Sequence, residues 1–348
     1  MGLQFAPTLA PEQPALINFL TQVFHADPEL NSFQPEVLQW KYFIPYPEWS
    51  QPRSFSLKKD QEIVSHGGIL PIRLRARGGE LQAINLIDWA ASAAALGGGV
   101  HVLRNIAAMC DIMITIGGSS DTRKILPKLG YRPGGTLRRY VRVTQPWLQM
   151  RTRRHYDWKT LARFIRNSSS VFKSLPNMPA AWRVDKVTQF GGEIEPLLQV
   201  RDSLVRTSPI RSVANLNYML ACPASEFSAF VVSEGQRPTG YFVLSKIGRQ
   251  ARIVDLGVED DNPKLWALIC ATAAQTARQD QKCVELIVGT SSEEVGGIFE
   301  QLGFRPFRQD EILYYDPRNR LAPGTRLNLN LIDSDFSFMY NPNYPYVS

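Results

Sequence analysis

The chain has 348 residues, of which 44% are hydrophobic, and its formal net charge is +7. This length suits two domains with cores of their own. No apolar run reaches about 18 residues, which argues against a membrane-spanning helix. The N-terminus lacks a signal-peptide pattern, and we expect a cytoplasmic protein. The four cysteines are scattered through apolar segments and indicate buried thiols, and the positive charge suits an anionic ligand or surface.

The N-terminal part predicts a short strand, two helices and a group of strands. Helical periodicity runs over Pro11–His25, and Pro35 opens a second, shorter helix. Apolar runs then predict strands that are interrupted at Pro71. The Gly67–Gly68 pair within them indicates a bulge or the close approach of a ligand.

A strand, a glycine turn and a helix come next. Ile84–Asp88 is an apolar run that ends in a carboxylate, Gly97–Gly99 form the turn, and Val100–Met109 has helical spacing. Glycines between a strand and a helix leave backbone N–H groups free for an anion, and the helix dipole adds to the attraction. The sequence therefore predicts a phosphate-binding site at this turn.

A second strand and helix follow at once. Ile112–Ile116 reads as a buried strand, Ser119 and Ser120 can cap the next helix, and Gly130 ends it.

The connector between the two halves is basic and amphipathic. Met150–His155 is rich in arginine, and Trp158–Phe172 has apolar residues at helical spacing with basic residues on the other side. We expect a linker helix whose apolar side packs across the two halves and whose basic side is solvated. An anionic membrane surface is the next alternative, and the backbone of RNA is the third.

The C-terminal part repeats the N-terminal pattern of helices and strands and then becomes polar beyond Asp316. A helix covers Pro263–Gln279, and the last clear strand covers Glu311–Tyr315. In the tail, Asp333 and Asp335 could form a functional pair, but acids in a polar tail are usually solvated, and that is what we expect here.

The sequence contains an internal repeat with a spacing of roughly 170 residues, which is the size of a domain. Four matches occur in the same order along the two halves. They are Leu38-x-Trp40 with Leu216-x-Tyr218, Pro45 with Pro223, Leu86-Ile87-Asp88 with Ile253-Val254-Asp255, and Leu129-Gly130-Tyr131-Arg132-Pro133 with Leu302-Gly303-Phe304-Arg305-Pro306. The chain therefore contains two copies of one fold.

With these features the chain resembles a tandem protein of the GNAT acyltransferase superfamily. The resemblance lies in the acidic strand, the glycine turn into a helix, and the short strand and helix that end in Leu-Gly-aromatic. It implies an α/β fold of two GNAT-like domains, each a mixed, mainly antiparallel sheet with helices on both faces. The expected divisions are residues 1–145 for the first domain, 146–181 for the linker, 182–317 for the second domain and 318–348 for the tail.

The resemblance also implies a site for coenzyme A in the first copy. In the family, a turn of the form Gln/Arg-x-x-Gly-x-Gly/Ala holds the pyrophosphate, and its best match is Leu96, Gly97, Gly98, Gly99 and Val100. Ser119 and Ser120 are placed with this site. The second copy has carboxylates and Pro263 at the equivalent turn, and we expect it to bind no phosphate.

Asp88 is the candidate catalytic residue, because family members often place a general base on this strand. Its alternative is a structural aspartate, which the match with Asp255 favours. The tyrosine that serves the family as general acid corresponds to Leu126 here, so an acid must come from elsewhere, and Ser119 and Ser120 are weak candidates.

The function implied is transfer of an acyl group, most simply acetyl from acetyl-coenzyme A, to a primary amine, with an amino sugar as one acceptor. The four histidines share no metal-ligand spacing, so we expect no metal. Two alternatives remain: a Fem-type transferase that uses aminoacyl-tRNA, and a GNAT fold that binds a partner without catalysis. We expect a small-molecule amine as partner, no nucleic acid, and at most weak contact of the linker with an anionic membrane.

Overall fold

A computed structural model of the protein describes residues 2–27, 29–151, 158–171, 173–176, 178–203 and 207–348. These residues form one mixed, mainly antiparallel sheet with helices on both faces, which confirms the predicted fold class. Neighbouring residues of one strand show the two faces: Ile69 packs with the helix that contains Val102, and Leu70 packs with the helix that contains Leu20. None of the described helices is long and apolar enough to cross a bilayer.

The first half begins with a strand and two helices and continues into the sheet. Its elements are β1 (Gln4–Pro7), α1 (Gln13–Phe24), α2 (Pro35–Leu38), which continues as a π-helical turn (Gln39–Phe43), β2 (Ser54–Lys59), β3 (Glu62–Ala76), β4 (Gly79–Ala91), α3 (Gly98–Ala107), β5 (Ile112–Ile116), α4 (Ser120–Ile125) and β6 (Arg132–Val143). The connector supplies α5 (Pro146–Arg151) and α6 (Trp158–Val171).

The second half repeats this order. Its elements are β7 (Trp182–Val187), α7 (Glu195–Ser203), β8 (Ser208–Pro209), α8 (Val213–Leu220), β9 (Glu226–Glu234), β10 (Arg237–Ile247), β11 (Gln250–Val258), α9 (Pro263–Arg278), β12 (Glu285–Thr290), α10 (Glu293–Gln301) and β13 (Arg305–Tyr315). The tail adds two short 3₁₀ turns, Leu331–Asp333 and Asp335–Ser337. The predicted repeat is therefore present as two successive sets of the same elements.

Local sequence explains how equivalent helices begin and end. The Ser119 hydroxyl accepts a hydrogen bond from the Thr122 N–H at the start of α4, and Ser292 does the same for Val295 in α10. Gly130 follows α4 with a φ of +91°, and Gly303 follows α10 with a φ of +86°. Both glycines take the left-handed conformation that residues with a side chain rarely adopt.

The two halves exchange their last strands. The sheet order is β1-β2-β3-β4-β5-β13-β6-β12-β11-β10-β9-β7, so β13 lies beside β5 of the first half and β6 lies beside β12 of the second. Only β4 with β5 and β11 with β12 pair in parallel among these neighbours. The equivalent strands of the two halves are β1 and β7, β2 and β9, β3 and β10, β4 and β11, β5 and β12, and β6 and β13. The order of equivalent strands is the same from either edge of the sheet, so the halves are related by an approximate two-fold axis between β6 and β13.

The proline in β3 does not interrupt the strand, contrary to the sequence prediction. Pro71 pairs with Ile84 of β4. On the other side of β3, the pairing with β2 ends at Gly68 and the pairing with β8 begins at Leu74. The strand tolerates a residue without an N–H because Pro71 lies between these two pairings.

Candidate functional site

The site is built where two parallel strands of the first half separate. The pairing of β4 with β5 ends at Asn85 and Ile114, although β4 continues to Ala91. A cavity of about 390 Å³ lies between the separated ends, and the C-terminal tail closes one side of it. Ten of its nineteen lining residues are apolar: Phe24, Ala26, Leu30, Phe33, Leu86, Ile87, Trp89, Ile116, Phe336 and Met339. A cavity of this size with few polar groups is typical of a small-molecule site.

Asp88 lies at the edge of this cavity on an irregular part of β4. The pairing with β3 shifts register between His66 and Gly68, and Asp88 has a φ of +47°. A left-handed conformation is costly for a residue other than glycine, and such strain often occurs at functional sites. The His66 ring, whose pKa is lowered to about 4 by burial, contacts the Asp88 carbonyl oxygen through Nδ1 at 2.9 Å and Ser54 Oγ through Nε2 at 2.9 Å.

The Asp88 carboxylate is held by two residues that follow α2. Lys41 Nζ lies 2.5 Å from Asp88 Oδ2, and the Tyr42 hydroxyl donates a hydrogen bond to the same oxygen. Both donors belong to the π-helical turn Gln39–Phe43, a wider turn that is frequent at functional sites. Burial raises the pKa of the Asp88 carboxyl, but the charge and hydrogen bond of Lys41 and the hydrogen bond of Tyr42 outweigh burial, so the pKa is lowered overall.

The Gly67–Gly68 pair has a structural explanation. The register of β3 with β4 is irregular here, as predicted. A Cβ on Gly68 would lie 2.3 Å from the Tyr42 hydroxyl, and one on Gly67 would lie 2.7 Å from the Ile106 side chain. Gly68 thus leaves room for Tyr42 to reach Asp88. The group that approaches this glycine closely is therefore the Tyr42 side chain and not a ligand.

Asp335 brings a second carboxyl group to the cavity, from the tail. Burial, opposed by the charge of Lys41 and assisted by that of Asp88, raises the pKa of Asp335 to about 6. Among the residues described, none donates a side-chain hydrogen bond or forms an ion pair with this carboxylate. The expectation that Asp333 and Asp335 are solvated is wrong, because Asp333 is buried and Asp335 is half-buried.

The residues predicted to hold the cofactor lie in two places. Of the two predicted serines, Ser119 lines the cavity and Ser120 begins α4; Gly117 and Gly118, which were not predicted, also line the cavity. Leu96–Val100 lie outside the cavity lining, in the turn that starts α3. Trp89 connects the two places, since it is one of the lining residues of the cavity and its ring Nε1 donates a hydrogen bond of 2.9 Å to the Gly99 carbonyl oxygen.

At the glycine turn, the exposed Gly97 caps α3 with a φ of +78°. Gly98 and Gly99 are buried, and a Cβ on Gly98 would lie 3.0 Å from Ala95. Gly98 already donates its N–H to the Ala95 carbonyl oxygen. Gly99 and Val100 are the second and third residues of the helix, where N–H groups have no partner within a helix. The turn is therefore suited to an anion at these two positions.

The equivalent place in the second half is filled by the protein itself. Asn330 of the tail bridges to Thr290 of β12, and its side-chain amide donates a 2.7 Å hydrogen bond to Asp255 of β11. Arg211 forms ion pairs with Asp255 at 2.9 Å and with Asp333 at 2.6 Å. Burial lowers the pKa of Arg211, but the two carboxylates outweigh it and raise the pKa well above its usual value. Asp255 is thus structural, in contrast to its equivalent Asp88, which faces the cavity.

The sequence interpretation found Asp88 and considered Asp335, which it then expected to be solvated, but it missed Lys41, Tyr42 and His66. The aromatic run around Tyr42 was the available signal for one of them. No cluster of three or more metal-ligating side chains occurs within the described ranges.

No protein-family model matches the chain, and no curated protein matches it in sequence. Solved structures do match. A GCN5-related N-acetyltransferase from Anabaena variabilis is similar with a TM-score of 0.62 and 12% identity, over 90% of this chain and 73% of the other. A tandem GNAT protein from the clavulanic acid biosynthesis pathway is similar with a TM-score of 0.57 and 11% identity, over 90% and 98%.

The N-myristoyltransferase of Saccharomyces cerevisiae, solved with bound myristoyl-CoA, is similar with a TM-score of 0.61 and 12% identity, over 90% of this chain and 82% of the other. At these identities the likeness concerns the fold. The mixed α/β sheet and the repeated order of elements agree with a match to a tandem GNAT protein, and the chain therefore has the fold of the GNAT-type acyltransferases in two tandem copies.

Proposed function

We propose that this protein transfers an acyl group from an acyl-coenzyme A to a primary amine, and that the first half carries out the reaction. The observation that carries the proposal is the cavity between β4 and β5, with one carboxylate on the strand and a second supplied by the tail. Its apolar lining suits an acyl chain and a pantetheine arm, while the carboxylate of Asp335 would attract a protonated amine.

Acyl-coenzyme A is a substrate here, and the turn at Gly97–Val100 is the proposed contact for its pyrophosphate. The N–H groups of Gly99 and Val100, together with the positive end of α3, would stabilise the phosphate charge. Ser119 and Ser120 are proposed to contact the same substrate from the start of α4. Acetyl is the simplest acyl group, and the apolar lining also suits longer ones.

The reaction needs a base, because an amine must lose its proton to attack a thioester. The amine nitrogen forms a bond to the carbonyl carbon, the carbon–sulfur bond breaks, and the thiolate of coenzyme A leaves. The hypothesis from sequence gave the proton to Asp88. The Asp88 carboxylate is, however, paired with Lys41 and Tyr42, and we assign it the positioning of β4 and of these two residues. Asp335, whose pKa is raised and whose carboxylate forms no ion pair with any residue that the structure describes, is the better base.

An amino sugar remains the proposed acceptor class, because the chain resembles tandem GNAT proteins that are encoded with polysaccharide-assembly genes. The cavity lining supplies hydrogen-bonding groups for a hydroxylated acceptor in Thr115, Ser119 and Asn85. Acceptors of other kinds should be tested alongside it.

The experiment is a thiol-release assay with acyl-coenzyme A of several chain lengths and a panel of primary amines, combined with calorimetric binding. Asp335→Asn should lower kcat by roughly 100-fold or more, with little change in acyl-coenzyme A affinity. Asp60→Asn is the matched control, since Asp60 lies in an exposed turn. Ala26→Trp should fill the cavity and abolish binding, whereas Ala322→Trp, at an exposed site, should not.

Two results would count against the proposal. A chain that binds no acyl-coenzyme A would favour the non-catalytic binding protein. Binding of tRNA that weakens steeply with salt, without binding of coenzyme A, would favour the Fem-type transferase.

A further inference from the structure

Helix α6 packs against the protein through polar residues. Thr160 and Asn167, seven positions apart and therefore on one face, are both buried. The Asn167 side chain donates a hydrogen bond of 2.7 Å to Gln149 in α5 and accepts one of 3.1 Å from Arg305 in β13. The inward face of α6 is thus fixed by hydrogen bonds.

The apolar residues of the same helix face away from the protein. Trp158 is 75% exposed, Leu161 58% and Ile165 63%. These three residues, here called the apolar ridge, are spaced by three and four positions and form one stripe. Trp147 of α5, which is 58% exposed, lies beside α6, with its ring 6.3 Å from that of Phe164. The expected packing of this side across the two halves is therefore wrong.

The charge along α6 has a single sign. The segment of α6 contains Lys159, Arg163 and Arg166 and no acidic residue, and Arg163 and Arg166 are exposed. The residues before the helix include one acid, Asp157, together with Arg151, Arg153 and Arg154, so this stretch of the sequence is also net positive. A second copy docked on this surface would bring the same basic residues together, so the charge disfavours self-association. An apolar stripe flanked by arginine and lysine instead matches the boundary between acyl chains and anionic headgroups.

We propose that α6 is an interfacial helix that binds the surface of an anionic membrane. Trp158, Leu161 and Ile165 enter the region between headgroups and acyl chains, and the flanking basic residues contact the headgroups. The helix of 14 residues lies flat and does not span the bilayer. This proposal is independent of the acyl-transfer proposal, since it rests on α6 alone.

The test is sedimentation of the full chain with vesicles of phosphatidylcholine alone and of phosphatidylcholine with phosphatidylglycerol. We expect binding to the anionic vesicles that weakens as salt rises. Changing Trp158, Leu161 and Ile165 together to Ser should lower partitioning on the order of 100-fold. Arg163→Gln should lower it about fivefold, the effect of one basic residue near an anionic surface.

The matched control is Leu3→Ser with Leu9→Ser, which removes exposed apolar side chains outside the ridge and should leave binding unchanged. Unchanged circular dichroism and an unchanged thermal unfolding temperature would show that the triple variant is folded. Failure of the unmodified chain to bind anionic vesicles would overturn the proposal, as would equal binding to neutral vesicles. A dimer in solution that the triple variant loses would also overturn it, in favour of a second copy on the ridge.

Discussion

Trp40 and Tyr218, which match in the sequence repeat, meet face to face between the two halves. Their rings are stacked with centroids 5.1 Å apart. Trp40 Nε1 donates to the Tyr218 carbonyl oxygen at 3.2 Å, and the Tyr218 hydroxyl donates to the Trp40 carbonyl oxygen. Because each residue bonds the backbone of the other, the contact fixes one half relative to the other. It also positions Trp40, the immediate neighbour of Lys41.

The first prediction is that this pair is energetically coupled. Tyr218→Phe should lower the free energy of unfolding by about 1 kcal/mol, because Arg53 also donates to the Trp40 carbonyl oxygen and keeps it satisfied. Trp40→Phe should lower the free energy of unfolding by about 1 to 3 kcal/mol. In a double-mutant cycle measured by urea unfolding, the coupling should be about 0.5 to 1.5 kcal/mol. Tyr344→Phe, at an exposed ring, is the control, and strict additivity of the pair would contradict the prediction.

The second prediction concerns the ion pairs of Arg211. Arg211→Met leaves the buried carboxylates of Asp255 and Asp333 without their cation and should cost about 3 to 5 kcal/mol. Arg237→Met, at an exposed ion pair, should cost about 1 kcal/mol or less. Adding Asp333→Asn to the Arg211 variant should recover part of the loss. Limited proteolysis should cut the tail of the Arg211→Met variant faster than that of the Arg237→Met variant. Equal resistance of these two variants would show that Arg211 does not hold the tail in place.

The third prediction is a pH dependence set by Asp335. Because burial raises the pKa of its carboxyl to about 6, the rate of acyl transfer should rise between pH 5 and about 7 as the base ionises. The free energy of unfolding should fall over the same pH range. The folded state favours the protonated carboxyl, so this contribution is complete below the ordinary pKa of 3.8 and is lost as the pH rises through about 6.

The Asp335→Asn variant separates the effect of this carboxyl on the reaction rate from its effect on stability. The variant should be inactive, yet more stable than the unmodified protein at pH 8 by about 1 to 2 kcal/mol, and nearly equal to it at pH 4. Thermal unfolding at both pH values measures the difference. A rate that is constant from pH 5 to 8, or a variant that is less stable at pH 8, would exclude Asp335 as the base.

The fourth prediction follows from the exchanged strands. A fragment of residues 1–151 retains β6 but lacks β13, the strand that lies between β5 and β6. Two such fragments could restore the order of the sheet by pairing their β6 strands, since β6 and β13 are equivalent in the repeat. We expect a dimer, or an unfolded chain, in light scattering coupled to size exclusion. A stable folded monomer would show that the exchange is dispensable.

The repeated elements could be predicted because their signals are local. Ser119 and Gly130 mark the ends of α4 as Ser292 and Gly303 mark those of α10, and all four act as their sequence positions indicate. The exchange of strands could not be predicted. β6 and β13 carry similar patterns, so either could pair with β5, and local sequence does not choose between them.

The sequence predicts only part of the candidate site, because some of its residues come together only through long-range contacts. Asp88 ends an apolar run and is recognisable in sequence. Its partners Lys41 and Tyr42 lie more than forty residues earlier and reach it only because the helix widens into a π-helical turn. Asp335 stands in a polar segment that suggests solvent, and only the path of the tail across the sheet places it in the cavity.

That path has a consequence for the symmetry of the molecule. An approximate two-fold axis would give the molecule two equivalent sites, but the tail meets the two halves differently. Asn330 and Asp333 fill the site of the second half, and two residues later Asp335 lines the cavity of the first. One segment that lies outside both repeats therefore makes the two sites unequal.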